Sequence, residues 1–308
     1  MFEHVLIGVD GGPGGRDALQ LARMLAAPTA RLALVHVRSE QRADRSLALL
    51  ETEAGAARIQ PSLISVREGT PGRGLHRQAE QQGADLLVVG SCARTPLGRA
   101  ALGDDTRAAL NGSPCAVAVA AAGVAGRPRP IAQVGVGYDG SPESIGALAT
   151  ARRIAAASHA AVRVLQVVSL PVLAYTNYVG PAVGDTIDEL LAAARHQLAQ
   201  LPEVESRAVY GTAGEKLAAF GDEVDILVVG SRGYGPLHRL IAGSTCDYLE
   251  RHARCSLVVT PRSAPATSDD VVIRAQPTSP AKPDAQGEPR SHAATAGASN
   301  RNQRGIGT

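Results

Sequence analysis

The segment best suited to chemistry runs Gly230-Ser-Arg-Gly233-Tyr-Gly-Pro-Leu-His-Arg-Leu-Ile-Ala-Gly243-Ser244-Thr245, a G-x2-G-x9-G-[ST] spacing between an apolar run and a helical stretch. Glycines at a strand end let backbone approach a ligand closely. A helix opening with Gly-Ser-Thr offers unpaired N–H groups at the positive end of its dipole. Phosphate is the natural guest of such a loop. The spacing is neither GxxxxGK[ST] nor the GxGxxG that follows the first strand of a dinucleotide-binding unit. The competing role for Gly243-Ser244-Thr245 is an ordinary helix N-cap. Arg232, His238 and Arg239 lie in the loop, where they either neutralise phosphate charge or face solvent, and Lys216 reads as a solvated helix residue.

The elements that must position this loop occur twice. Leu86-Leu-Val-Val-Gly90-Ser91 returns as Ile226-Leu-Val-Val-Gly230-Ser231, and Cys115-Ala-Val-Ala-Val returns as Cys255-Ser-Leu-Val-Val, both at an offset of 140 residues. Val5 to Gly12 (VLIGVDGG) is echoed by Val134 to Ser141 (VGVGYDGS), but Asp10 and Asp139 differ by only 129, so the second copy is longer between its first and fourth strands. Within each copy short Val/Leu/Ile runs alternate with Ala-rich segments of helical length, the pattern of βα units and a mainly parallel sheet. Strands are expected near 5–9, 31–37, 62–67, 86–90 and 116–119, and again near 133–138, 162–168, 204–209, 226–230 and 256–260. Helices should begin near Gly15, Ser46, Gly72 and Asp104, and near Pro142, Asp185, Gly214 and Ser244. Residues 120–130, with Gly123, Gly126, Pro128 and Pro130, read as a linker. From Ser263 onward periodicity stops, and too little apolar surface is present to offset the entropy of ordering, so 263–308 reads as a disordered tail.

These residues together resemble the universal stress protein family in its tandem form, over both copies from Met1 to about Arg262. The resemblance rests on the spaced glycine loop, the Asp ending strand one (Asp139 in YDGS), the Val167-Val168 pair ending strand two, and the final strand CSLVV. It implies two tandem doubly wound parallel-sheet α/β domains of the adenine nucleotide alpha-hydrolase-like kind, 1–127 and 128–262. It implies an internal pseudo-dimer paired through the last strands, near Val117 and Val258. It also implies ATP as ligand, with Asp139 and Val167 at the base and Gly230, Gly233, Gly243, Ser244 and Thr245 at the phosphates; Mg²⁺ would enter only through those phosphates. Asp139 is equally suited to closing an Asx turn ahead of the following helix. The family often carries His before the strand-two Val, as His36 does in copy one, whereas copy two has Gln166.

Copy one departs from the pattern. The offset of 140 sets Ala93 against Gly233, Asp104 against Ser244 and Asp105 against Thr245, leaving only Gly90 and Gly103 of the motif. Two carboxylates at a helix N-terminus cap it themselves and repel a triphosphate. One competent nucleotide site is therefore expected, in copy two, in a non-catalytic ATP-binding stress-response regulator or sensor. Two other readings stand beside it. One is a weak nucleotide hydrolase using Asp139, Lys216 or His238; the other is a nucleotide-independent interaction module that meets its protein partner through the tail.

Composition narrows the field further. A net charge of +2 across 308 residues gives no field for a dedicated nucleic-acid binder. No apolar stretch approaches the ~20 residues that span a bilayer and no signal core follows Met1, so a cytoplasmic protein is expected. With no Trp and two Phe, the cores must be built from Ala, Val, Leu and Ile. Cys92, Cys115, Cys246 and Cys255 show no zinc or dithiol spacing and read as small buried hydrophobes.

Overall fold

The computed structural model describes residues 1–38, 43–91, 104–170, 181–231 and 243–261. The expectations placed on Cys92, Arg232, Gly233, His238, Arg239 and the 263–308 tail lie outside these residues.

Copy one contributes β1 (Phe2–Gly8), α1 (Pro13–Leu25), β2 (Ala26–Arg38), α2 (Ala43–Ala57), β3 (Ser62–Arg67), α3 (Pro71–Gln82), β4 (Leu86–Gly90), α4 (Asp104–Leu110) and β5 (Ala116–Ala120). Copy two contributes β6 (Gln133–Tyr138), α5 (Pro142–Ser158), β7 (Ala161–Val168), α6 (Pro181–Leu198), β8 (Glu205–Tyr210), α7 (Ala213–Phe220), β9 (Ile226–Gly230), α8 (Ser244–His252) and β10 (Ser256–Thr260). The alternation of strands and helices is the one the sequence predicts. Helices start up to four residues earlier than expected where proline sits in the first turn, as Pro13 and Pro181 do, because a missing N–H costs nothing there. β2 is longer than the expected 31–37: it begins at Ala26, directly after α1, and an irregularity between Phe2 and His4 of β1 absorbs the mismatch.

All ten strands form one sheet in the order β3-β2-β1-β4-β5-β10-β9-β6-β7-β8. Pairing is parallel within each copy and antiparallel where β5 meets β10. β5 and β10, and β4 and β9 up to their closing glycines, are buried throughout, which is why they read as unbroken apolar runs. Strict alternation divides them between two cores. Leu86, Val88, Ile226 and Val228 face a layer that includes Leu21 and Leu25 of α1, Leu50 of α2, Ile154 of α5 and Leu198 of α6. Leu87, Val89, Leu227 and Val229 face the layer holding Leu75 of α3, Leu110 of α4, Phe220 of α7 and Leu249 of α8. Cys115 and Cys246 are buried in that second layer, and burial pushes the Cys115 thiol up to about 11.

At the junction, Ala118 pairs with Val258, its own counterpart at the 140-residue offset, flanked by Val119 with Leu257 and Val117 with Val259. Arg107 and Asp247, also counterparts, form an ion pair at 3.3 Å. Contacts between equivalent positions are the mark of an isologous, two-fold interface. The linker is more than a connector: Gly123 N–H and Ala125 N–H both donate to the buried carboxylate of Asp17 on α1, each at 2.8 Å.

One substitution between the copies leaves a charge in this region. Glu250 stands where copy one has Leu110; it is buried, and its Oε1 has no hydrogen-bond partner. Burial first, and then the neighbouring Asp247, push its carboxyl up to about 7 against the opposing pull of Arg107 and Arg251. A raised carboxyl binds its proton more tightly folded than unfolded, so stability falls as pH rises from the ordinary carboxylate range to about 7 and the penalty is complete above that. Glu250→Gln should therefore be about 1–3 kcal/mol more stable than wild type at pH 8 in urea unfolding, with the advantage gone near pH 4. An advantage that did not change with pH would contradict this assignment.

Candidate functional site

In each copy the chain runs outward from the first strand, then returns to pair on that strand's other side. β6 and β9 therefore diverge at their carboxyl ends, the crevice where open α/β sheets bind ligands. A cavity of about 580 Å³ lies there. Its apolar half is made by Leu165 and Val167 of β7, Ala213 and Leu217 of α7, and Val229 of β9. Its polar half is made by Asp139, Ser141 and Ser144 at the start of α5, Gly230 and Ser231 after β9, and Gly243 and Thr245 at the start of α8.

Asp139 follows β6 and turns the chain into α5. Its Oδ1 accepts from the Ser141 N–H at 3.0 Å, while the Ser141 side chain caps the helix by accepting from the Ser144 N–H at 3.2 Å. Burial opposes the charged form, but hydrogen bonds from the Ser141 side chain and backbone outweigh it, and Asp139 titrates below the usual carboxylate range. The turn and the cavity wall are thus served by one residue. Gln197 of α6 packs over Gly140 and accepts from Gln166 at 3.1 Å, so Gln166 is directed to α6.

Gly230 has a role the spacing does not reveal. A Cβ there would lie 2.6 Å from the carbonyl carbon and 2.7 Å from the carbonyl oxygen of Glu143, so its bareness lets α5 dock against the end of β9. Gly90 does the same for α1, against Gly14. Gly243 is the N-cap residue of α8, extended at φ −89° and ψ 174°, and is buried. Thr245 and Cys246 join it in the wall, whereas Ser244, exposed on the first turn, is not among the wall residues. The structure therefore brings Asp139, Val167, Gly230, Gly243 and Thr245 to one cavity. Tyr138, Ser141, Ser144, Leu217 and Ser231 belong to it as well, outside the residues that the sequence singles out for the site, although Tyr138 and Ser141 flank Asp139 in YDGS and Ser231 repeats Ser91 in the long echo. Two helix N-termini, of α5 and α8, open on the polar half, an arrangement that favours negative charge.

The model of the universal stress protein family matches residues 1–121 and again 131–261. Universal stress protein Rv2005c of Mycobacterium tuberculosis is 31% identical over 189 residues, covering 58% of this chain and 63% of that protein. Universal stress protein Mb2028c of Mycobacterium bovis matches to the same extent, so the similarity spans under two thirds of these relatives' length. Among solved structures, a putative universal stress protein from Pseudomonas aeruginosa superimposes with a TM-score of 0.62 at 16% identity, over 85% of this chain and 94% of that one. A universal stress protein from Archaeoglobus fulgidus gives 0.58 at 17% identity, over 84% and 98%. At these identities the structures speak to the fold.

The close approach at Gly230 is open to a direct check. Gly230→Ala should lower stability by about 1–3 kcal/mol by overpacking, seen as a lower urea midpoint with an unchanged slope. Gly184→Ala, where a Cβ in α6 meets nothing within 4 Å, should be neutral or stabilising. Equal effects at the two positions would remove the packing role.

Proposed function

Because the chain belongs to the universal stress protein family, we propose that it is a nucleotide-binding stress-response regulator of the cytoplasm whose second copy holds ATP. The observation that carries this is the convergence of the α5 and α8 N-termini on the polar half of a cavity whose other half is apolar and wide enough for a base. Asp139 and Val167 would meet the base end. Gly230, Gly233, Gly243 and Thr245 would meet the phosphates, with Ser244 contributing from the first turn of α8, and Mg²⁺ entering only with the phosphates.

We take ATP as a ligand rather than a substrate. Asp139 is already committed to its own turn and held ionised, which suits it to accept a hydrogen bond rather than to move a proton. Regulation then follows from any difference in ATP affinity between two states of the chain.

Protein purified without added nucleotide and then denatured should release about one ATP per chain, identified by chromatography and mass spectrometry. Thr245→Asp puts a carboxylate into the phosphate wall. At about 4 Å and an effective dielectric near 20, a like-charge contact costs on the order of 4 kcal/mol, so affinity should drop about 100-fold or more. The same change suits a helix N-terminus, so folding should survive it. If nothing is released and added ATP does not bind, the reading fails and an interaction module without nucleotide takes its place. A steady hydrolysis rate that Thr245→Asp abolishes would make the protein an enzyme.

A further inference from the structure

The seam between the copies is two-fold in its strand pairing but not in its chemistry. Three contacts across it join residues that differ between the copies, and each is matched because unlike copies meet.

The first lies at the axis. Ala118 and Val258 face each other, both fully buried in the layer shared with α1 and α5. A small side chain opposite a larger one fills the space between the strands. Two copies of β5 in the same register would set Ala118 against Ala118 and leave a void. Two copies of β10 would set Val258 against Val258 and crowd the same space.

The second lies at one end of the strands. The Ala121 N–H donates to the buried Ser256 hydroxyl at 3.2 Å. The two-fold counterpart of that contact joins residue 261 to residue 116, and these are Pro261, which has no N–H, and Ala116, which has no hydroxyl. A polar pair thus sits at one end of the seam and an apolar pair at the other. Copy one against itself would twice set the Ala121 N–H against a methyl group. Copy two against itself would twice set the Ser256 hydroxyl against a proline ring. A buried polar group that loses its partner disfavours the pairing that strands it.

The third lies on the other face of the sheet, between α4 and α8. Arg107 meets Asp247 at 3.3 Å. One turn along α8, Glu250 is buried with an Oε1 that lacks a hydrogen-bond partner, as Asp247 Oδ1 does. Arg107 is the charge that favours the ionised form of Glu250 from across the seam, and copy one has Leu110 in the place of Glu250. Copy two against itself would exchange Arg107 for a second Asp247 and bring four carboxylates together. Copy one against itself would oppose Arg107 to Arg107, a weaker repulsion because that side chain is half exposed.

We propose that the seam is a selective recognition surface: β5 and α4 of copy one accept β10 and α8 of copy two, in their own chain or in a second copy of it, and reject their own kind. Association of chains through this surface is then an exchange of halves between unlike copies, never a union of like ones. The argument makes no use of nucleotide binding.

The charge contact is tested in the intact chain. Arg107→Asp gives the seam the charges of copy two against itself, and in urea unfolding it should lower the folding equilibrium constant about fivefold or more. Adding Asp247→Arg restores opposite signs and should recover most of that loss. A loss that Asp247→Arg does not relieve would overturn the proposal.

Selectivity itself is read from the pairs that form. A protease site inserted after Pro128, in the exposed stretch beyond the Asp17 hydrogen bonds, lets the folded chain be cut between its copies. Unlabelled and isotope-labelled cut protein, unfolded together in urea and refolded, should give label-mixed pairs of one half of each kind by native mass spectrometry. Like pairs should form at about a tenth or less of their statistical share. Like pairs near the statistical share would overturn the proposal, and if the cut halves do not reassemble the charge reversal in the intact chain decides it.

Discussion

Antiparallel pairing of β5 with β10 is the contact on which the rest of the architecture depends. It turns two five-stranded parallel sheets into one ten-stranded sheet and removes the edge that each copy would otherwise expose. Both strands are buried on both faces, so neither copy can show its last strand to water without uncovering Val117, Val119, Leu257 and Val259 together. Because Ala118 faces its own counterpart Val258, the junction imposes a two-fold relation on everything attached to it. The two crevices are set by that relation, one between β1 and β4 and the other between β6 and β9.

Symmetric placement leaves chemistry free to diverge, and it has done so at the helix that follows the fourth strand of each copy. α8 is longer and opens on Gly243-Ser244-Thr245; α4 is shorter and opens on two aspartates. The packing that builds each crevice is unchanged, since Gly90 and Gly230 both admit a neighbouring helix start at the strand end. The glycines at the strand ends are thus structural in both copies, and the difference between the two crevices lies in the residues that open the next helix.

Much of this was legible in the sequence because a repeat constrains itself. The constant offset of 140 aligned β4 with β9 and β5 with β10, and apolar runs that long without polar interruption are what a doubly covered sheet demands. Asp139, Val167, Gly230, Gly243 and Thr245 did come to one place. The rest was hidden for specific reasons. Gly230 lines the cavity as its spacing suggests, but its second role, admitting the Glu143 backbone, depends on a contact between segments far apart in the chain. Ser244 looked equivalent to Thr245, but successive residues on a helix point in different directions, and only Thr245 faces the cavity. Asp17 sits in no motif, and nothing local announces that a Gly-rich linker will fold back to bury it.

The difference in length between the copies falls away from their junction. The extra residues fall between β7 and α6, at 169–180, where copy one needs only 39–42 between β2 and α2. β7 and α6, which bracket that stretch, belong to the outer part of copy two, whereas the seam is made by β5 and β10. The Asp17 clamp on the linker, by contrast, acts on the one stretch of chain that belongs to neither copy and reaches both. A carboxylate with two N–H donors at 2.8 Å is a strong, directional restraint, and it holds Gly123 and Ala125 against the copy-one crevice while the following residues lead into β6. The backbone between Gly123 and Gln133 thus ties α1 of copy one to β6 of copy two outside the sheet, beside the direct contacts that β5 makes with β10 and Arg107 makes with Asp247.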